Sequence, residues 1–185
     1  MARLGRKTAL PAAVRSGLTR LDGERVLAAA PLVGHRWLVG TTRALHVVDA
    51  EGTGERHGWD QVVAAVWSDT ASMLQVTWAD SARRLEVELA GEAGFLPEVI
   101  RERVEASVVV SRRVSAGGRR GVRVAVRRAA PGAELTTQVV ADHGVDLADP
   151  DLAARVAAEL ADLAEQTGMG AGGLPRLDSN QRPSD

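Results

Sequence analysis

The sequence predicts an α+β chain. Seven short strands form a small β-barrel or sandwich capped by an amphipathic helix, and a short antiparallel meander with a C-terminal helix follows. Three observations carry this expectation. Between residues 26 and 89, short apolar runs are separated by turn chemistry, which is the strand signature. From residue 95 the apolar spacing becomes helical. After residue 108, three further strand-like runs precede a second, well-capped amphipathic stretch.

The first 20 residues are basic, with Arg3, Arg6, Lys7, Arg15 and Arg20. Lys7, Pro11, Arg15 and Gly17 interrupt any apolar run of the kind a secretory signal needs. They read as a loose arm with a short helix near residues 11–18. No apolar run approaches the ~20 residues that cross a bilayer. The expectation is a cytoplasmic protein without membrane insertion.

Strands are predicted at residues 26–33, 37–41, 44–48, 55–59, 62–67, 74–78 and 84–89. Two of them alternate cleanly. Leu74, Val76 and Trp78 share one face, and Leu85, Val87 and Leu89 oppose Glu86 and Glu88. Residues 49–54 and 79–82 read as hairpin loops. Phe95, Leu96, Val99, Ile100 and Val104 then mark a helix, with Pro97 in its first turn, where a missing N–H costs nothing. Phe95, Val99 and Ile100 are expected to plug one end of the barrel.

Strands at 108–114, 122–128 and 135–141 form the meander. Asp149-Pro150 opens the final helix as a capping oxygen followed by proline, Leu152, Val156, Leu160 and Leu163 make its buried stripe, and Gly168 ends it. The expected organisation is a basic arm (1–20), a barrel domain (21–108), a strand–helix extension (109–168) and a disordered tail (169–185).

Composition narrows the chemistry. A hydrophobic fraction of 45% and a charged fraction of 25% are those of an ordinary globular protein. Without cysteine there is no disulfide, thiolate nucleophile or cysteine zinc site. Lys7 is the one lysine among 23 basic residues, a bias typical of a GC-rich bacterial genome. His35, His46, His57 and His143 show no helical metal spacing and read as surface or edge residues. The cluster Asp142, Asp146, Asp149 and Asp151 lacks the alternation of a calcium loop. Neither a nucleophile elbow nor a phosphate-cradling loop occurs, and Gly118-Arg-Arg-Gly121 reads as a hairpin turn. No catalytic residue, cofactor or metal ligand is assigned. Trp37, Trp59, Trp67 and Trp78 all fall in strand-rich sequence and are expected in the core or at its rim.

The strongest functional signal is charge polarity. Arg112, Arg113, Arg119, Arg120, Arg123, Arg127 and Arg128 cluster on one hairpin, and residues 134–165 are predominantly acidic. Two readings follow: a salt-bridge mesh between hairpin and helix, or an arginine platform for nucleic-acid phosphate or an acidic protein. The hairpin offers no aromatic residue for base stacking.

Leu21-Asp-Gly-Glu-Arg-Val-Leu27, Trp37-Leu-Val-Gly-Thr-Thr-Arg-Ala-Leu-His-Val-Val48 and Trp59-Asp-Gln-Val-Val63 resemble bacterial pleckstrin-homology-like and GRAM-like domains. Arg103-Val-Glu-Ala-Ser-Val-Val109 and Gly144-Val-Asp146 are similar to a group of uncharacterised actinobacterial proteins. The resemblance implies a seven-strand barrel capped by a helix and is silent about activity. Relatives of that fold bind phosphoinositides through basic residues between their first two strands. Here that loop holds a single arginine, Arg36, which points away from lipid headgroups. The expected function is a non-catalytic protein-interaction or scaffolding module, with weak nucleic-acid binding through residues 112–128 as the alternative. The tail run Leu177-Asp-Ser-Asn-Gln-Arg-Pro183 resembles a reading frame crossing the complement of a transfer-RNA gene. Such an origin would concern genome layout rather than protein chemistry.

Overall fold

The computed structural model describes residues 9–79 and 84–169. The chain divides into two compact units, with the boundary between Ala106 and Ser107.

In the first unit, α1 (Ala12–Gly17) precedes β1 (Val26–Leu32), β2 (Arg36–Thr41), β3 (Ala44–Val48) and β4 (Gly54–Gly58), and a 3-10 turn at Trp59–Gln61 leads to β5 (Val62–Ser68), β6 (Met73–Trp78), β7 (Arg84–Glu88) and α2 (Leu96–Ser107). Each foreseen strand is present to within a residue at either end. All ladders are antiparallel, in the orders β1-β2-β3-β4 and β5-β6-β7. The alternation of β6 holds: Leu74, Val76 and Trp78 are buried, together with Val87 and Leu89 from β7 and the residue after it. They meet Ala30, Leu32, Leu38 and Leu45 from the four-stranded sheet in one core.

Two expectations about this unit are corrected. Among the described residues the strands form two sheets rather than a closed barrel, touching at one isolated bridge, Leu32 to Leu89. Pro31 supplies its carbonyl to the Ala90 N–H at this corner but has no N–H to return, so the pairing with the end of β7 loses a hydrogen bond where it stops. Phe95 does not plug the core; it is 42% exposed, while Leu96 and Ile100 are 1% exposed and take that role. The helix begins at Leu96, so Phe95 stands before its first turn.

The segment read as a loose arm is anchored over its described part. Leu10, Val14 and Leu18, spaced by four, are buried with Ala29, Val39 and Val48 on the sheet face opposite the main core. The fit is close at the end of α1. A Cβ on Gly17 would stand 1.6 Å from the Glu51 carbonyl oxygen, so glycine is needed for the approach.

The second unit contains β8 (Val108–Ser115), β9 (Gly121–Arg128), β10 (Leu135–Ala141) and α3 (Pro150–Thr167). Its sheet order is β10-β9-β8. One face, carrying Val114, Val122, Val124 and Val126, packs against Leu152, Val156, Leu160 and Leu163 of α3. Asp149 caps this helix by accepting from the Asp151 N–H at 2.9 Å, and Gly168 closes it with φ 69°. Residues 80–82 of the foreseen loop, and 170–185 of the foreseen tail, lie outside the described residues.

Candidate interaction surfaces

The most constrained polar site is buried in the first unit, and its glutamate was not singled out among the site candidates. Glu24 lies just before β1 with its side chain fully inaccessible. Its Oε1 accepts from the Thr41 hydroxyl at 2.5 Å and stands 3.2 Å from His46 Nε2. Its Oε2 accepts from the Leu21 N–H at 2.9 Å and from Arg56 Nη2 at 3.3 Å. Thr41 also accepts from the Ala44 N–H at 2.9 Å, which shapes the β2–β3 turn, and its carbonyl accepts from Trp59 Nε1 at 3.0 Å. Burial pushes the Glu24 carboxyl up, but the Thr41, Leu21 and His46 hydrogen bonds and the Arg56 charge outweigh it and hold the pKa at about 2. Burial lowers the His46 pKa against the pull of Glu24, so the ring is neutral at neutral pH and must carry its proton on Nε2 to donate. His46 is 2% exposed, which corrects its reading as a surface residue. The cluster is a structural knot joining the chain before β1 to β2, β3 and β4.

The arginines of the second unit do not form one open platform. Arg112 pairs with Glu159 at 3.0 Å and with Asp162, and Arg113 pairs with Asp142. Those hydrogen bonds raise the Arg112 pKa and lower that of Asp142, which also accepts from the Gly121 N–H at 2.9 Å. Arg127 is buried, donating to the Ser107 hydroxyl and, at 3.0 Å, to the Gln138 amide oxygen. Arg128 is half-buried. Arg119, Arg120 and Arg123 remain exposed, and Arg120 also donates to the Gly144 carbonyl at 3.2 Å. The mesh reading therefore accounts for Arg112 and Arg113, and three exposed arginines are left around the β8–β9 turn.

Other candidates have local structural partners. Asp146 accepts from the Ala148 N–H at 2.9 Å and Asp149 caps α3. Among the described residues, no group of histidines and acids is arranged to hold a metal ion. His57 stacks on Trp78 with ring centroids 4.0 Å apart, and His35 occupies the β1–β2 turn with φ 60°. Trp59 and Trp78 are buried; Trp37 and Trp67 are half-buried. No described helix is long and apolar enough to cross a membrane.

A groove opens in the first unit. It encloses about 460 Å³ and is lined by Leu10, Arg15, Arg20, Arg25, Leu27 and Phe95, among others. A second depression of about 520 Å³ shares Arg25, Leu27 and Phe95 with it and continues past Glu98, Val99 and Glu102. Arg20 and Arg25 are exposed, and neither guanidinium has a hydrogen-bond or ion-pair partner among the described residues. Sequence reasoning missed this surface because it assigned Phe95 to the core. Comparison of the chain with protein-family models, curated proteins and solved structures returns no significant match.

Proposed function

We propose that the first unit is a pleckstrin-homology-like module and that the protein is a non-catalytic cytoplasmic interaction or scaffolding protein. The groove carries this reading: its rim presents unpaired arginines, and the chain's one phenylalanine stands 42% exposed against it. A ring of that size is normally buried, and exposure beside a concave, partly charged surface is what a partner site requires. The fold assignment is supported by four strands, then three, then a helix, and by the meeting of Glu24, Thr41 and Trp59 from the three resembling segments.

The second reading is nucleic-acid binding through Arg119, Arg120 and Arg123, favoured by their exposure on the β8–β9 turn and the start of β9. Affinity purification from the native host, with half the extract nuclease-treated, separates the two. The module reading expects the same proteins in both halves. Recovery from the untreated half alone, with affinity falling by about 0.9 decades per decade of salt for each phosphate engaged, would transfer the function to nucleic acid.

A further inference from the structure

Among the described residues, β1 is an edge strand whose outer side is used only at its C-terminal end. There the Pro31 carbonyl accepts from Ala90 and the Val33 N–H donates to the Glu88 carbonyl, both at 2.9 Å. Backbone groups alternate sides along a strand, so Ala29, two residues before Pro31, turns its N–H and C=O to that same edge. No strand pairs with β1 there among the described residues; its ladder partner is β2. The groove runs along this unpaired stretch, with Val26, Leu27 and Ala28, half-buried, and Ala29, 5% exposed, in its lining. An unpaired edge inside a groove is a template for an added strand.

The charges around the edge select what can be added. Arg15, Arg20 and Arg25 line one end, with Arg15 donating to the Leu10 carbonyl at 3.2 Å, and the continuation beyond Phe95 is lined by Glu98 and by Glu102, which pairs with Arg103. We propose that this edge binds an extended acidic peptide from a partner protein by strand addition at Ala29. Carboxylates of the peptide meet Arg20 and Arg25, and an apolar side chain packs on Leu27 and Phe95. The acidic part lies over the α1 side, where Arg15, Arg20 and Arg25 gather, because on the other side Glu98 repels it and Arg103 is already paired with Glu102. A second copy of the chain is disfavoured as occupant, since two such edges would bring Arg20 and Arg25 into like-charge opposition. The chain's own first eight residues are equally mismatched, carrying Arg3, Arg6 and Lys7 and no acid.

This inference rests on the interaction-module reading, and its test separates the two. The probe is a peptide of about six residues, the usual strand length, alternating glutamate with valine and blocked at both ends. It is titrated into the full chain while backbone amide signals are followed by NMR. Signals of Leu27, Ala28, Ala29 and Phe95 should shift, and the Ala29 N–H should exchange more slowly with solvent. Binding should weaken as salt rises, and the double variant Arg20→Glu/Arg25→Glu, its fold checked by its amide spectrum, should lose affinity by about tenfold or more. A lysine-for-glutamate version of the peptide should not bind.

Three results would overturn the inference: no shifts at the β1 edge, shifts confined to Arg119, Arg120 and Arg123, or edge protection that grows with protein concentration in the absence of peptide. If the charge-reversed variant still retains the native protein partners, the strand-addition site falls and the module reading stands. If the wild-type chain retains none, the module reading itself falls.

Discussion

Glu24 and Asp142 each fasten strands together through a carboxylate that meets an arginine and a backbone N–H, but they do so in different solvents. The Glu24 side chain is fully inaccessible, whereas that of Asp142 is 38% exposed. In the first unit a buried carboxylate has lost its water and keeps its charge only because Leu21, Thr41, His46 and Arg56 converge on it. In the second, water and salt screen the Arg113–Asp142 and Arg112–Glu159 pairs, and water replaces whatever a substitution removes. Burial, rather than the pairing itself, decides how much each carboxylate matters.

The largest expected effect is therefore at Glu24. Glu24→Ala leaves the Thr41 hydroxyl, the His46 ring and one Arg56 nitrogen without their acceptor, and should destabilise the first unit by about 3–5 kcal/mol. All four tryptophans lie in that unit, so indole emission reports on it alone while far-UV circular dichroism reports on both. Chemical denaturation should show the emission transition shifted to lower denaturant and the α3 signal retained. An unshifted emission midpoint would erase the contrast between the two units.

Acid should sharpen the same contrast. The folded pKa of Glu24, about 2, lies below its ordinary value of 4.5, so its contribution is complete above 4.5 and is lost as pH falls toward 2. That contribution is about 3 kcal/mol. His46 acts in the same direction and earlier. Its folded pKa is depressed below 6.5, so the unfolded chain takes up the proton first and stability declines as pH drops below that value. Emission-monitored stability of the first unit should therefore fall in two stages on acidification, and His46→Gln should remove the upper stage. A profile flat from neutrality to pH 3 would contradict the wiring of Glu24.

The same divide explains what was legible in the sequence. Strands β6 and β7 and the Asp149 cap show in residues close together in the chain, and period-two alternation or an Asp-Pro pair reveals them directly. Closure of the barrel depends on whether distant β1 and β7 can exchange hydrogen bonds, and the missing N–H of Pro31 was not weighed. Phe95 was misplaced because helical spacing does not say where the first turn begins. The docking of α1 had a signal, Leu10, Val14 and Leu18 at intervals of four, but the surrounding basic residues obscured it. Glu24 was visible as part of a motif, yet its partners His46 and Arg56 lie 22 and 32 residues away, and only folding brings them together.

The smallest effect is expected at the exposed pairs of the second unit. Arg112→Ser removes the contacts to Glu159 and Asp162, but water reaches all three side chains, and β8 keeps its ladder to β9 without them. The denaturation midpoint followed by far-UV circular dichroism should coincide with that of the parent chain at moderate salt, because screening already weakens such pairs. A drop approaching that of Glu24→Ala would mean that exposed ion pairs organise the β8–α3 packing. It would leave the valine–leucine core of Val122, Val124, Val156 and Leu160 insufficient to hold the second unit together on its own.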